Sequence, residues 1–158
     1  MQKHTIRSFR RLLRRFERLT EHQLKADSGC QGVSMAQCHT LLEIEELGRT
    51  TTVELSRRLG LDKSTLSRTI EGLVSTGLVK RRPHPSDRRF TLLSLSQKGC
   101  RTADRINQAN DRHYHQVFVN IHPDRHVRVV EHFGELVSAK QTHHDGLTAI
   151  MGSPKNGG

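Results

Sequence analysis

Two sets of side chains in this 158-residue chain could do chemistry. The first is cationic and hydroxylic: Lys63, Ser64, Thr65, Ser67 and Arg68, followed by Arg81, Arg82, Asp87, Arg88 and Arg89. Arginine pairs bidentately with phosphate oxyanions and with guanine edges, and short hydroxyls reach either phosphates or bases. The second set is sulfur and imidazole: Cys30, Cys38 and His39, with His113 and His115 further along. A Cys30–Cys38 bridge is open to the chain if their Cα atoms come within about 7 Å. Basic surroundings favour thiolate. The same atoms are ligand types that zinc accepts, but His113 and His115 stand at i, i+2, which sends them to different faces of a helix. Cys100, set apart from the other two, reads as structural. No Gly-rich phosphate loop, G-x-S-x-G elbow or H-E-x-x-H run is present. Cys38 and His39 are sequence neighbours that point different ways on a helix, a poor catalytic dyad. The expectation is a binding protein without a cofactor, not an enzyme.

Charge supports that. Lysine and arginine number 26 against 16 acidic residues, a net charge of +10 with histidine neutral. Such an excess favours a polyanionic partner. No apolar run approaches the ~20 residues of a spanning helix, so nucleic acid fits better than membrane. The amino terminus is polar and basic without a following apolar segment, unlike a signal peptide. Three cysteines, an odd number, suggest reduced thiols and a cytoplasmic setting. Tryptophan is absent and aromatic content is 4%, which disfavours base-stacking platforms. The eleven histidines are scattered, as surface residues usually are, although histidine also allows pH sensing.

The cationic set needs a scaffold, and residues 51–95 provide one. Thr52 can cap a short helix carrying Val53, Leu55 and Leu59, which Gly60 ends. Asp62 can cap a second helix whose stripe is Leu66, Ile70, Leu73 and Val74, at i, i+4, i+7 and i+8. Lys63 to Arg68 then occupy its exposed amino-terminal end, the end a recognition helix presents to base edges. Gly77 stops it. Leu78–Arg82 reads as a strand, Pro83–Asp87 as a turn, and Arg88–Leu95 as the return strand. An arginine-tipped ribbon suits a narrow, strongly negative minor groove. This is a winged helix-turn-helix: a mainly α fold with a small β-wing.

The flanks read as helices. Residues 3–26 carry Ile6, Phe9, Leu13, Phe16 and Leu19 or Thr20 as a stripe, with arginines on the other faces. Residues 28–32 form a loop, and Ser34–Leu47 a helix with Met35, Cys38, Leu41, Leu42 and Ile44 inward. Ser96 can cap a helix from Gln97 to about Val119, and Pro123 can open a last helix running to about Lys140 and lined by Val127, Val130, Phe133 and Val137. Residues 141–158 are polar and Gly-rich and read as a disordered tail.

Taken together, Glu54–Leu59, Ser64–Arg68, Leu73–Val79, Asp87–Arg89 and Leu95–Gly99 resemble the MarR family of winged-helix regulators. The resemblance spans roughly residues 5–140 and is most specific in the centre. It implies one domain over 1–140, with a DNA-binding lobe at about 34–95 and dimerisation helices at about 3–27 and 97–140. It implies that Asp87 steadies the wing through a salt bridge and that an arginine of the Asp-Arg-Arg run enters the minor groove. The implied function is a homodimeric, sequence-specific transcriptional regulator of duplex DNA, a repressor reading a pseudo-palindrome with half-sites roughly 34–36 Å apart. Relief would come from a small organic ligand or from oxidation at Cys30 and Cys38. A zinc-responsive regulator using Cys30, Cys38 and His39 and a non-specific architectural winged helix stay open as alternatives.

Overall fold

The computed structural model describes residues 3–26, 32–87 and 89–151. The chain divides into two units, residues 1–110 and 111–158. In the first, helix α1 (Lys3–Ala26) is followed by α2 (Met35–Leu47), strand β1 (Thr50–Thr51), α3 (Thr52–Leu59), α4 (Lys63–Ser75) and strands β2 (Val79–Pro83) and β3 (Thr91–Leu95). Helix α5 (Gln97–Phe118) begins in this unit.

Local chemistry sets the helix ends. Ser34 caps α2 by a reciprocal capping box: its hydroxyl accepts from the Gln37 amide at 3.3 Å while Gln37 Oε1 accepts from the Ser34 amide at 2.9 Å. Helix α3 is capped by Thr51, one residue before the position expected. Thr51 has an extended backbone and its hydroxyl accepts from the Glu54 amide at 3.3 Å, which leaves Thr52 free to enter the helix. Asp62 caps α4 as expected, accepting from the Ser64 and Thr65 amides at 3.0 and 2.9 Å. Past α4, Gly77 takes φ +72°, so that Leu78 N–H reaches Leu73 O at 2.8 Å and Gly77 N–H reaches Val74 O at 2.9 Å. This is a Schellman closure, and it needs the left-handed residue glycine supplies.

The sheet has three antiparallel strands in the order β1-β3-β2. The return strand expected from Arg88 begins only at Thr91. Ahead of it the chain turns: Phe90 N–H reaches Asp87 O, and His84 N–H reaches Phe90 O, both at 3.0 Å. Sequence pattern gave no sign of β1, a two-residue strand.

Cys38, Leu41 and Ile44 from α2, Leu55 from α3, Leu66, Ile70 and Leu73 from α4, Leu93 from β3 and Ile106 from α5 belong to the core. The α4 stripe read from the sequence is this core face. Val53, one of the apolar residues that α3 carries, is 67% exposed.

The start of α5 grips the base of the hairpin. Ser96 Oγ donates to Gly77 O at 2.6 Å and accepts from Gly99 N–H at 2.9 Å, Ser96 N–H reaches Leu78 O, and Lys98 Nζ reaches Thr76 O at 2.8 Å. A Cβ at Gly99 would stand 2.1 Å from the Leu78 carbonyl oxygen, so only glycine allows this approach.

In the second unit a 3-10 turn at Pro123–Arg125 leads into α6 (His126–Met151). His126 Nε2 lies 3.0 and 2.9 Å from the Phe118 and Ile121 carbonyl oxygens. Helix α6 continues eleven residues beyond Lys140, where the sequence reading ended it. Residues 141–151 hold no proline, and Gln141 and Asp145 bond across one turn at 2.8 Å. Val127, Val130, Phe133 and Val137 are all more than half exposed in the single chain. On α1, Ile6, Phe9, Leu12, Phe16 and Leu19 are exposed and Leu13 is half-buried.

Candidate nucleic-acid interface

The amino-terminal turns of α4 carry the first cationic and hydroxylic group. Lys63, Ser64, Ser67 and Arg68 are exposed and Thr65 is half-buried, opposite the stripe of Leu66, Ile70 and Leu73. Arg68 folds back toward Ser64, its Nε 3.4 Å from the Ser64 carbonyl oxygen. Asp62 closes the end of the helix. The Thr65 and Ser64 side chains, then the Thr65 amide, hold its carboxyl well below the usual carboxylate range. It therefore stays an anion at the positive end of the helix dipole.

The hairpin carries the second group. Asp87 binds Arg89 through both carboxylate oxygens, with Arg89 Nε at 3.1 and 3.2 Å and a terminal nitrogen at 2.8 Å, and it also accepts from the Arg89 amide at 3.0 Å. Arg89 holds the Asp87 carboxyl below its ordinary value, and Asp87 raises that of Arg89. The Arg89 side chain remains 86% exposed, so the pair orients the guanidinium without hiding it.

Strand alternation sorts the remaining cations. Arg81 is paired with Leu93 in the ladder, on the face toward α4, and its guanidinium reaches the Glu71 carboxylate at 2.9 Å. Lys80, opposite Ser94, and Arg82, opposite Leu92, belong to the other face. Glu71 is thus a partner that sequence reading missed. It lies ten positions from Arg81, and no local spacing links a helix to a strand across a turn.

The sulfur and imidazole set is less gathered. Cys30 and Arg88 lie outside the described residues. Cys38 is 4% exposed in the core and His39 is exposed, consistent with successive residues of one helix pointing apart. Among the described residues, no three His, Cys, Asp or Glu side chains come together as a metal ion would need. No helix of the described residues is long and apolar enough to cross a membrane.

A capped helix crossing a preceding one, followed by an antiparallel hairpin whose tip carries an ordered arginine, defines a winged helix-turn-helix. Residues 33–91 match the MarR family model. Over that segment the chain resembles the MarR family. It is 32% identical to the multiple antibiotic resistance protein MarR of Escherichia coli over 84 residues, which is 53% of this chain and 58% of that protein. It is 24% identical over 92 residues to an uncharacterised HTH-type transcriptional regulator, YdgJ, of Bacillus subtilis, 58% of this chain and 56% of that protein. The chain thus spans little more than half the length of these curated relatives. Among solved structures, a mutant MarR from E. coli in complex with operator DNA superposes with a TM-score of 0.67 at 28% identity, covering 84% of this chain and 95% of that one.

Proposed function

We propose that this protein is a cytoplasmic, dimeric, sequence-specific DNA-binding transcriptional regulator acting as a repressor that an effector releases. The observation carrying this reading is the pairing of two exposed elements on one lobe: the polar start of α4 and the Asp87-ordered Arg89 at the hairpin tip. One offers hydroxyls and Arg68 to base edges in the major groove. The other offers a guanidinium to a minor groove. The similarity to a MarR structure containing operator DNA supports the same partner.

Dimerisation has its own support. The apolar stripes of α1 and α6 are exposed in the lone chain, and a second copy would cover them. We assign residues 34–95 to the DNA-binding lobe and the helices on either side to the dimer. Paired lobes would read two half-sites, and a ligand preferring one lobe spacing would shift the equilibrium between binding and release. A small organic effector is favoured over thiol chemistry, because Cys38 is packed as a core residue.

Selection of bound duplexes from random DNA, followed by salt titration on a selected and a scrambled duplex, tests the proposal. A preference on the order of 10³ or more at physiological salt supports a specific regulator. Equal binding to both duplexes supports an architectural protein, and no binding at low salt removes the reading. Peroxide treatment adds one comparison. Loss of DNA affinity in wild type but not in Cys30→Ser would restore the thiol reading.

A further inference from the structure

The wing has a second surface, which shares Arg82 with the cations assigned to DNA. Across the sheet face turned away from α4 lies a groove of about 460 Å³, within the roughly 300–1,000 Å³ range of small-molecule sites. Arg49, just before β1, lines it from one side, and Lys80 and Arg82 of β2 line it from the other. The central strand β3 runs between them and supplies Leu92 and Ser94 to the groove. Pro83 and Pro85 close the end nearest the hairpin tip. None of its lining residues is acidic. Arg81, by contrast, lies on the opposite face, where Glu71 neutralises it. The fold therefore leaves three cations around one concavity and balances the one that points elsewhere.

The spacing of these cations defines what would fit. Arg49 and the β2 pair flank a central strand, so they stand roughly 10 Å apart, two strand spacings of the sheet. A single anionic group would satisfy one edge and leave the other unpaired. Between the edges lie half-buried Leu92 and the hydroxyl of Ser94. We propose that this groove is a binding site for a small organic dianion, with an acid group at each end of a short apolar middle. One acid group pairs with Arg49 and the other with Lys80 and Arg82, while the apolar middle lies over Leu92. Serine 94 donates its hydroxyl to whichever acid oxygen is nearer.

Occupancy has a consequence for DNA. Arg82 is one of the hairpin cations assigned to DNA above, and a bound dianion neutralises it and adds negative charge to the wing. The ligand therefore lowers DNA affinity. This consequence rests on the DNA-binding reading, whereas the binding itself does not.

Isothermal titration of the full-length protein without DNA tests the site. Octanedioate, whose carboxylates stand about as far apart as the cations, is compared with octanoate. The expected result is saturable binding of one octanedioate per chain and roughly tenfold weaker binding of octanoate, since one of two charge-assisted contacts is lost. Arg49→Ala, at an exposed position, should reduce octanedioate binding to the octanoate level, and Lys80→Ala, which leaves Arg82 in place, should weaken it by less, with circular dichroism melts checking that both fold. No saturable heat, equal binding of the two probes, or binding unaffected by either variant overturns the proposal. In a second arm, octanedioate is titrated into the complex with a selected duplex. Release in wild type but not in Arg49→Ala supports the regulatory consequence. Release that is equal in both overturns it. If no duplex is bound, the DNA reading fails while the first arm still decides the site.

Discussion

Ser96 and Gly77 are joined by a 2.6 Å hydrogen bond, the Ser96 hydroxyl donating to the Gly77 carbonyl. Nineteen positions apart, they tie the first residue before α5 to the turn that ends α4. The same hydroxyl accepts from Gly99 N–H, so one buried oxygen serves as helix cap and as lock on the hairpin base. Ser96→Ala leaves both partners unsatisfied in a buried place. Urea unfolding should show a loss of about 1–3 kcal/mol.

Gly99→Ala should be worse than its size suggests. The added methyl meets the Leu78 carbonyl, a backbone atom that cannot turn aside. The expected result is a loss exceeding that of Ser96→Ala, read by the same denaturant titration.

Leu66 is fully buried beneath the polar face of α4. Leu66→Ala should cost about 2.7–5.0 kcal/mol in unfolding experiments. Urea midpoints within error of wild type would remove Leu66 from the core.

Arg68 and Arg89 should separate by readout. Arg68→Ala should relax base preference at a cost of about 1–3 kcal/mol on the selected duplex. Unchanged discrimination would contradict a base contact. Arg89→Ala should weaken binding to most sequences and lower the salt slope by about one. A slope equal to wild type would contradict a phosphate or minor-groove role.

Acid should loosen the cap of α4. The Asp62 carboxyl titrates in the folded protein below its ordinary value, chiefly through its hydrogen bonds from Thr65 and Ser64. The ionised cap therefore stabilises the fold above the ordinary carboxylate range, and that contribution is lost as pH falls through the folded value. Thermal melts of Asp62→Asn should converge on wild type toward strongly acidic pH and differ most near neutrality. A constant difference across pH would show that the charge does not matter.

The parts legible in the sequence are those with a repeating cause. The stripe of Leu66, Ile70 and Leu73 and the cap at Asp62 could be read because helix periodicity and capping act within a few residues. Strand β1 could not, because two threonines carry no alternation. The Thr51 cap was displaced by one because adjacent threonines are chemically equal, and only the ladder with Leu92 settles which one stays extended. The Glu71–Arg81 bond and the groove beside Arg49 depend on which strand lies next to which, a long-range fact. Helix α6 passes Lys140 because weak helix formers in 141–151 still lack anything that would break it.

The three cations at 80–82 are neighbours in the chain but not in space. A strand has only two sides, so deleting or inserting one residue in β2 would exchange them all at once. Arg81 would leave its carboxylate, Lys80 and Arg82 would be driven toward the helices, and Val79 would be turned out to water. Length changes in β2 should therefore be tolerated far less well than any single replacement there. The connecting loop at 84–90 lies beyond the ladder and can vary in length without that penalty.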